Sequence, residues 1–263
     1  MTIQTRVNTE DSEPPARDRT PRPLRRGSES FTREELLARQ PWWAGVSEQA
    51  RELLLRDSTE RALAIGDRLG HNGDFQNHWY GVLEGLLKWS IGLADGRTAT
   101  LGGQLAGSWF GEATLLRAQP RKADVIALRH SRVLLIPVEL FDWLRQTQPA
   151  FGDFLQRLLA ERILWLMSNS AAHRLMDVDH MVARALVGIM HPVLNMHPLV
   201  DDHRQYLINI SQEEMAQLVT ISRQRCNKAL AALQRLGLVR MAYGGIVLTD
   251  LAGLKAMTAD CTL

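Results

Sequence analysis

Residues 211–248 read Ser211-Gln212-Glu213-Glu214-Met215-Ala216-Gln217-Leu218-Val219-Thr220-Ile221-Ser222-Arg223-Gln224-Arg225-Cys226-Asn227-Lys228-Ala229-Leu230-Ala231-Ala232-Leu233-Gln234-Arg235-Leu236-Gly237, then Leu238-Val239-Arg240-Met241-Ala242-Tyr243-Gly244-Gly245-Ile246-Val247-Leu248. Ser211 with Glu214 has the spacing of a capping box, in which a hydroxyl and a carboxylate satisfy the free amides of a helix start. After Thr220-Ile221, Ser222 caps a second helix, so two short helices meet at a tight turn. On the second, Cys226, Ala229, Leu230, Leu233 and Leu236 share one face, and Gln224, Lys228, Ala231 and Arg235 lie opposite. Gly237 ends it, and Gly244-Gly245 between two apolar runs predicts a two-residue hairpin. The pattern is a winged helix-turn-helix.

Charge in this stretch is focused. Between Thr220 and Arg240 stand five basic residues (223, 225, 228, 235, 240) and no acids, while the whole chain carries 31 Lys plus Arg against 29 Asp plus Glu, a net +2. Phosphate neutralisation needs such clustering, and Arg or Gln in the first turn of a helix can present paired donors to base edges in a major groove. The expected DNA-binding residues are Ser211, Ser222, Arg223, Gln224, Arg225 and Lys228. A solvated amphipathic helix is the bland alternative, which cap, turn, basic face and wing together outweigh.

Working outward, 263 residues with 45% hydrophobic composition suggest two domains with a real core. Residues 1–30 hold four prolines, six Arg and five acids with few large apolar groups, so a disordered tail is expected there. Residues 31–56 suggest short helices, with Trp42 and Trp43 anchoring them. From Gly66 to Gly111, 11 of the 19 glycines fall within 46 residues, among short apolar runs and the dipeptides Asn72-Gly73 and Asp95-Gly96. Dense tight turns imply an antiparallel β-roll, completed by Val125–Leu128 and Val133–Ile136. Residues 150–175 carry Phe151, Phe154, Leu155, Leu158, Leu159, Ile163, Trp165 and Leu166 at helical spacing, a long helix that serves either as a dimer seam or as a core helix on the roll. The expected division is 1–30 tail, 31–148 roll with flanking helices, 149–176 long helix and 177–263 winged helix-turn-helix, an α+β fold.

Other chemistry finds little support. Two cysteines, Cys226 and Cys261, are too few for a disulfide framework or a cysteine-built metal site and fit a reducing, cytoplasmic setting. Cys226 reads as a small core residue. The histidines at 173, 180, 191, 197 and 203 lack metal-ligand spacing, so no metal is expected. There is no signal core, and the longest uncharged apolar run, Ala185–Val200, is broken by two His and two Pro, so no membrane partner is expected. No Gly-x-Ser-x-Gly motif, P-loop or paired carboxylate suggests an enzyme.

On these residues the chain resembles the Crp/Fnr family, named for the cyclic AMP receptor protein and the fumarate–nitrate regulator, over roughly 45–250. The pattern runs through Ile65-Gly66-Asp67-Arg68-Leu69, Asn72-Gly73-Asp74, Trp79–Gly85, Asp95-Gly96-Arg97 and Gly107-Ser108-Trp109-Phe110-Gly111-Glu112. The resemblance implies a cyclic-nucleotide-binding-type β-roll (jelly roll), a homodimer on a near-palindromic duplex, RNA polymerase as a further partner, and a cyclic nucleotide or cyclic dinucleotide effector. Its cassette here is Gly111-Glu112-Ala113-Thr114-Leu115-Leu116-Arg117-Ala118-Gln119-Pro120-Arg121-Lys122-Ala123. The resemblance gives Glu112 a ribose hydroxyl and Arg121 the cyclic phosphate, with backbone amides of the Gly111 turn near the anion.

Departures from the family pattern are informative. Lys122 replaces a small hydroxyl residue, and Leu166 and Met167 stand where the cyclic AMP receptor has hydroxyls for adenine, unless the register slips to Ser168 or Ser170. An inherited, ligand-free pocket and an unrelated effector therefore remain open beside the nucleotide. Thr220 occupies the usual turn glycine, and Arg223-Gln224-Arg225 replaces Arg-Glu-Thr, so the preferred half-site differs from that of the cyclic AMP receptor. The rival from another class is a sensor or scaffold module whose C-terminal domain contacts protein.

Overall fold

The computed structural model describes residues 26–27, 30–92, 98–191 and 205–259. In chain order the elements are β1 (Arg26–Gly27), α1 (Arg33–Ala38), α2 (Glu48–Asp57), β2 (Thr59–Leu63), β3 (Arg68–Gly70), β4 (His78–Glu84), β5 (Leu86–Gly92), β6 (Thr98–Leu105), β7 (Trp109–Phe110), α3 (Glu112–Arg117), β8 (Asp124–Ala127) and β9 (Ser131–Pro137). There follow α4 (Val138–Thr147), α5 (Pro149–Leu175), α6 (Val178–Ile189), β10 (Tyr206–Ile208), α7 (Gln212–Val219), α8 (Arg223–Arg235), β11 (Val239–Ala242), β12 (Gly245–Leu248) and α9 (Leu251–Met257).

Two four-stranded sheets, β2-β9-β4-β7 and β3-β8-β5-β6, form the expected roll, with every pair antiparallel. The two-residue period of a strand assigns its two faces. Tyr80 and Val82 of β4 and Val133 of β9 point between the sheets, to Leu87, Phe110 and Val125. Their neighbours Trp79, Leu83, Leu134 and Ile136 point outward into a second core made with α1, α2, α4 and the first half of α5. There Trp79 stacks on Trp109 at 4.2 Å, and Trp42 meets Phe151 edge-on at 5.0 Å, so the anchoring of Trp42 is observed.

The long helix divides. Phe151, Phe154, Leu155 and Leu158 are buried, whereas Ile163 (58%), Leu166 (57%), Met167 (55%) and Leu175 (78%) are exposed. Its first half is thus a core helix on the roll, and its second half presents an uncovered apolar face.

The C-terminal domain gathers α6 to α9 around Leu186, Met215, Leu230, Leu233 and Leu254, against the sheet β10-β12-β11. Leu86 and Leu105 of the roll join the same core. The hairpin differs by one residue from the sequence expectation: Tyr243-Gly244 forms the turn and Gly245 pairs with Ala242. Only Gly244 has positive φ (+84°), and Gly245 serves a close approach instead, since a Cβ there would lie 2.1 Å from the Ile208 carbonyl oxygen. The expectation of a disordered tail needs one correction. Arg26–Gly27 is a strand, parallel to β10, because the edge of β10 offers unpaired backbone groups. The rest of 1–30, apart from Ser30, lies outside the described residues, as do Asp95-Gly96, His197 and His203.

Candidate DNA interface and sensor pocket

Both predicted caps form. The Ser211 hydroxyl accepts from the Glu214 amide at 3.1 Å while the Glu214 carboxylate accepts from the Ser211 amide at 2.7 Å. The Ser222 hydroxyl accepts from the Arg225 amide at 3.3 Å. These hydroxyls place the first turn of each helix. Leu230, Leu233, Ala229 and Cys226 bury one side of α8, which turns Arg223, Gln224, Arg225, Lys228 and Arg235 to solvent. The sequence stretch lacked acids, yet Glu213 of α7 comes within 3.8 Å of Arg223, an exposed and therefore weak pair. Burial pushes the Cys226 thiol up to about 11, so it stays protonated and packs as a small hydrophobe.

The turn is held in an unexpected way. Thr220 adopts φ +60°, ψ +42°, a region costly for a β-branched residue, and its hydroxyl donates to the Thr100 carbonyl of β6 at 3.2 Å. Lys88 donates to Gln217 at 3.3 Å, and Leu218 sits in the hollow left by Gly103. At the other end of α7, Arg129 makes two bonds to the Glu214 carboxylate, Nε to Oε1 at 2.9 Å and Nη2 to Oε2 at 2.8 Å. The first helix of the pair is thus strapped to the roll at both ends, a feature with no short-range signal in the sequence.

In the cassette, Gly111 has φ +102° and lies so close to Gln76 that a Cβ would stand 2.1 Å from its Nε2. Gly111, Arg121 and Lys122 line a cavity of about 190 Å3 with Trp89, Phe110 and Arg162. Arg121 is only 6% exposed. Its guanidinium lies against Gly70, where a Cβ would be 2.2 Å away, and donates to the Tyr80 hydroxyl at 3.3 Å. Its Nε has no partner, and no carboxylate among the described residues pairs with it. A buried cation so placed is suited to an anion.

Glu112 departs from the expectation. It is fully buried behind the cavity wall, bonded by Arg162 of α5 and approached by Trp79 Nε1 at 3.4 Å. Arg162 also donates to the Trp109 carbonyl and lies 5.6 Å from the Trp89 ring centroid. Sequence reading missed Arg162 and Trp89, since nothing local links positions fifty residues apart. Of the two hydroxyls a shifted register would offer, Ser168 is buried and accepts from Arg184 of α6, and Ser170 is exposed. Among the described residues no group of three His, Cys, Asp or Glu could hold a metal, and no helix is long and apolar enough to cross a membrane.

Comparison with known proteins follows the same division. The profile of the cyclic nucleotide-binding domain matches residues 60–148, and that of the Crp-like helix-turn-helix domain matches residues 181–257. A CRP-like cAMP-activated global transcriptional regulator of Mycobacterium tuberculosis is 25% identical over 218 residues, covering 82% of this chain and 96% of that protein. The cyclic AMP receptor protein of Thermus thermophilus is 25% identical over 215 residues, 82% of this chain and 95% of its own. The structure of FixK2 from Bradyrhizobium japonicum shares the fold with a TM-score of 0.62 at 15% identity, over 76% of this chain and 96% of its own. With a sensor-type roll and a Crp-like DNA-binding domain in this order, the protein belongs to the Crp/Fnr family of transcription regulators.

Proposed function

We propose that two copies of this chain pair through the exposed half of α5 and bind a near-palindromic duplex, in the cytoplasm, under control of an anionic effector seated at Arg121. The chain acts by binding, not catalysis. The uncovered cationic face of α8 carries this reading: Arg223, Gln224, Arg225 and Lys228 face solvent together while the helix is fixed from behind by its core. Ser211 and Ser222 set the helix starts that approach phosphates. Two such faces related by a two-fold axis stand about 34 Å apart on successive turns of one side of the duplex. RNA polymerase is the further partner.

For the effector, the buried, acid-free Arg121 with Lys122 beside it supports an anion, and the matched domain profile together with the cAMP-activated relative supports a cyclic nucleotide. Gly111 brings backbone close to the anion, and Glu112, buried behind the cavity wall, acts on the pocket through Arg162, which it holds there. Leu166 and Met167 offer no hydroxyl to a base, so recognition there is by apolar contact.

Selection of bound sequences from random duplexes, followed by anisotropy titration at several salt concentrations, tests the interface. Three phosphate-neutralising cations per protomer predict a salt slope of roughly −5 for the dimer. Arg223→Glu should abolish specific binding with unchanged circular dichroism. Equal, weak binding to every duplex would refute the reading. Calorimetry with cyclic AMP, cyclic GMP and cyclic di-GMP, repeated on Arg121→Ala, tests the effector; no heat with any of them overturns that part alone.

A further inference from the structure

Near its N-terminus the chain crosses from one domain to the other between Gly27 and Phe31. Arg26 and Gly27 pair with Leu207 and Ile208 of β10, a strand of the sheet that carries the wing. Only Ser28 and Glu29 separate that strand from the first contact with the roll. The Ser30 hydroxyl donates to the Glu84 carboxylate at the end of β4 at 3.0 Å, and the Phe31 amide donates to the Leu83 carbonyl at 2.9 Å. Phe31 is buried in the outer core of the roll, with the Arg39 guanidinium 4.6 Å from its ring centroid. The segment thus has a firm root on the roll and its other end on the DNA-binding domain.

Chain geometry makes this crossing short. Extended backbone gains at most about 3.6 Å per residue, so the four steps keep Gly27 within ~14 Å of Phe31. A two-residue ladder would not hold separate molecules together, yet a short linker to an anchored residue keeps the strand at the β10 edge at roughly millimolar effective concentration. Position matters as well. The bonds involving Lys88, Thr100 and Arg129 of the roll are made with α7 and its C-terminal cap, whereas this segment reaches β10, beside β12 of the wing. A domain held along α7 alone can pivot about that helix, and a second attachment at the sheet removes this freedom. We propose that residues 26–31 tether the wing sheet to the roll, with the edge of β10 as the docking site for this segment of the same chain. The tether fixes where the wing stands relative to the roll, and its release leaves the β10 edge open to other extended chain.

Cross-linking tests the docking. Arg26→Cys with Leu207→Cys, in a Cys261→Ser background, should close a disulfide within one chain under mild oxidation, because aligned partners on neighbouring strands stand about 4.8 Å apart. Arg26→Cys with Arg240→Cys should not, because β11 lies three strand spacings, ~14 Å, from β1. Hydrogen exchange tests the tether. Removing residues 1–29 should speed exchange of segments 205–209 and 214–220 about tenfold. Inserting a flexible run of about eight Gly and Ser residues after Gly27 separates tethering from edge pairing: 205–209 should stay within about threefold of the unmodified chain, while 214–220 should again exchange about tenfold faster. Equal linking of the two cysteine pairs, links only between two chains, or unchanged exchange of 214–220 in the lengthened chain would overturn the proposal.

Discussion

The bond between Arg129 and Glu214 joins the turn before β9 to the first turn of α7, and its strength can be isolated because Glu214 has two roles. One carboxylate oxygen accepts from the Ser211 amide, and both accept from Arg129. Glu214→Gln keeps an acceptor for the capping box and discards the charge, while Arg129→Met leaves the cap untouched. Exposed ion pairs contribute about 0.2–1 kcal/mol, and breaking a buried pair costs about 3–5 kcal/mol. The two side chains are 24% and 16% exposed and the geometry is bidentate, which places the coupling between these limits, at about 1.5–2 kcal/mol. A double-mutant cycle by urea unfolding, accepted only where the four proteins share one m-value, reads this coupling directly. Raising the salt from 0.1 to 0.5 M should weaken it only slightly, because the pair is largely covered. Additive single effects, with coupling below about 0.3 kcal/mol, would refute the view that α7 is tied to the roll by this pair.

Three further expectations follow from other parts of the structure. Met167→Glu puts a charge in the exposed half of α5 without disturbing a packed side chain, so sedimentation should show a monomer of unchanged fold; a persisting dimer would remove this face from the interface. Burial holds His78 and His191 below the ordinary histidine value of 6.5, more than offsetting the opposing pull of Glu139 and Glu161. The unfolded chain then takes up protons first, so their contribution is complete above about pH 6.5 and is lost as pH falls through the lower folded values; Tm should drop between pH 7 and 5.5, and less steeply in His191→Gln. Gly245→Ala forces a Cβ onto the Ile208 carbonyl, which as backbone cannot swing aside, so the wing should loosen and DNA affinity fall; unchanged melting and affinity would show that the wing tolerates a shift.

The sequence was most legible where structure is local. Ser211 and Glu214 are three residues apart, so their reciprocal bonds could be read directly, whereas Trp79, Tyr80, Val82 and Leu83 stand in one apolar run whose division between two cores only the packed sheets show. The wing was read one residue out of register because two adjacent glycines looked equivalent, and only space in three dimensions shows that Gly244 supplies positive φ while Gly245 supplies contact with β10. The long helix was legible as a helix, but whether its apolar face is covered depends on partners distant in sequence, and the answer differs between its two halves. The site was half legible. Gly111, Arg121 and Lys122 do meet around one cavity, but Glu112 is engaged by Arg162 across 50 positions and Glu214 by Arg129 across 85. No periodicity or spacing encodes such pairs.

One consequence concerns how an effector can act on this chain. Arg223, Gln224, Arg225 and Lys228 are already exposed while α7 is strapped to the roll, so there is no covered recognition face for a ligand to release. A ligand shifts an equilibrium only through a difference in its affinity for the two arrangements, and in the proposed dimer those arrangements differ in where the two α8 helices stand relative to each other. A duplex fixes the separation of its successive major grooves and therefore selects among such arrangements. Within a protomer, the placement of α8 follows that of α7, whose contacts run to β5, β6 and the turn before β9, the same sheet that carries Trp89 and adjoins Arg162. An anion seated at Arg121, beside that wall, would regulate DNA binding only by changing how firmly the wall holds α7.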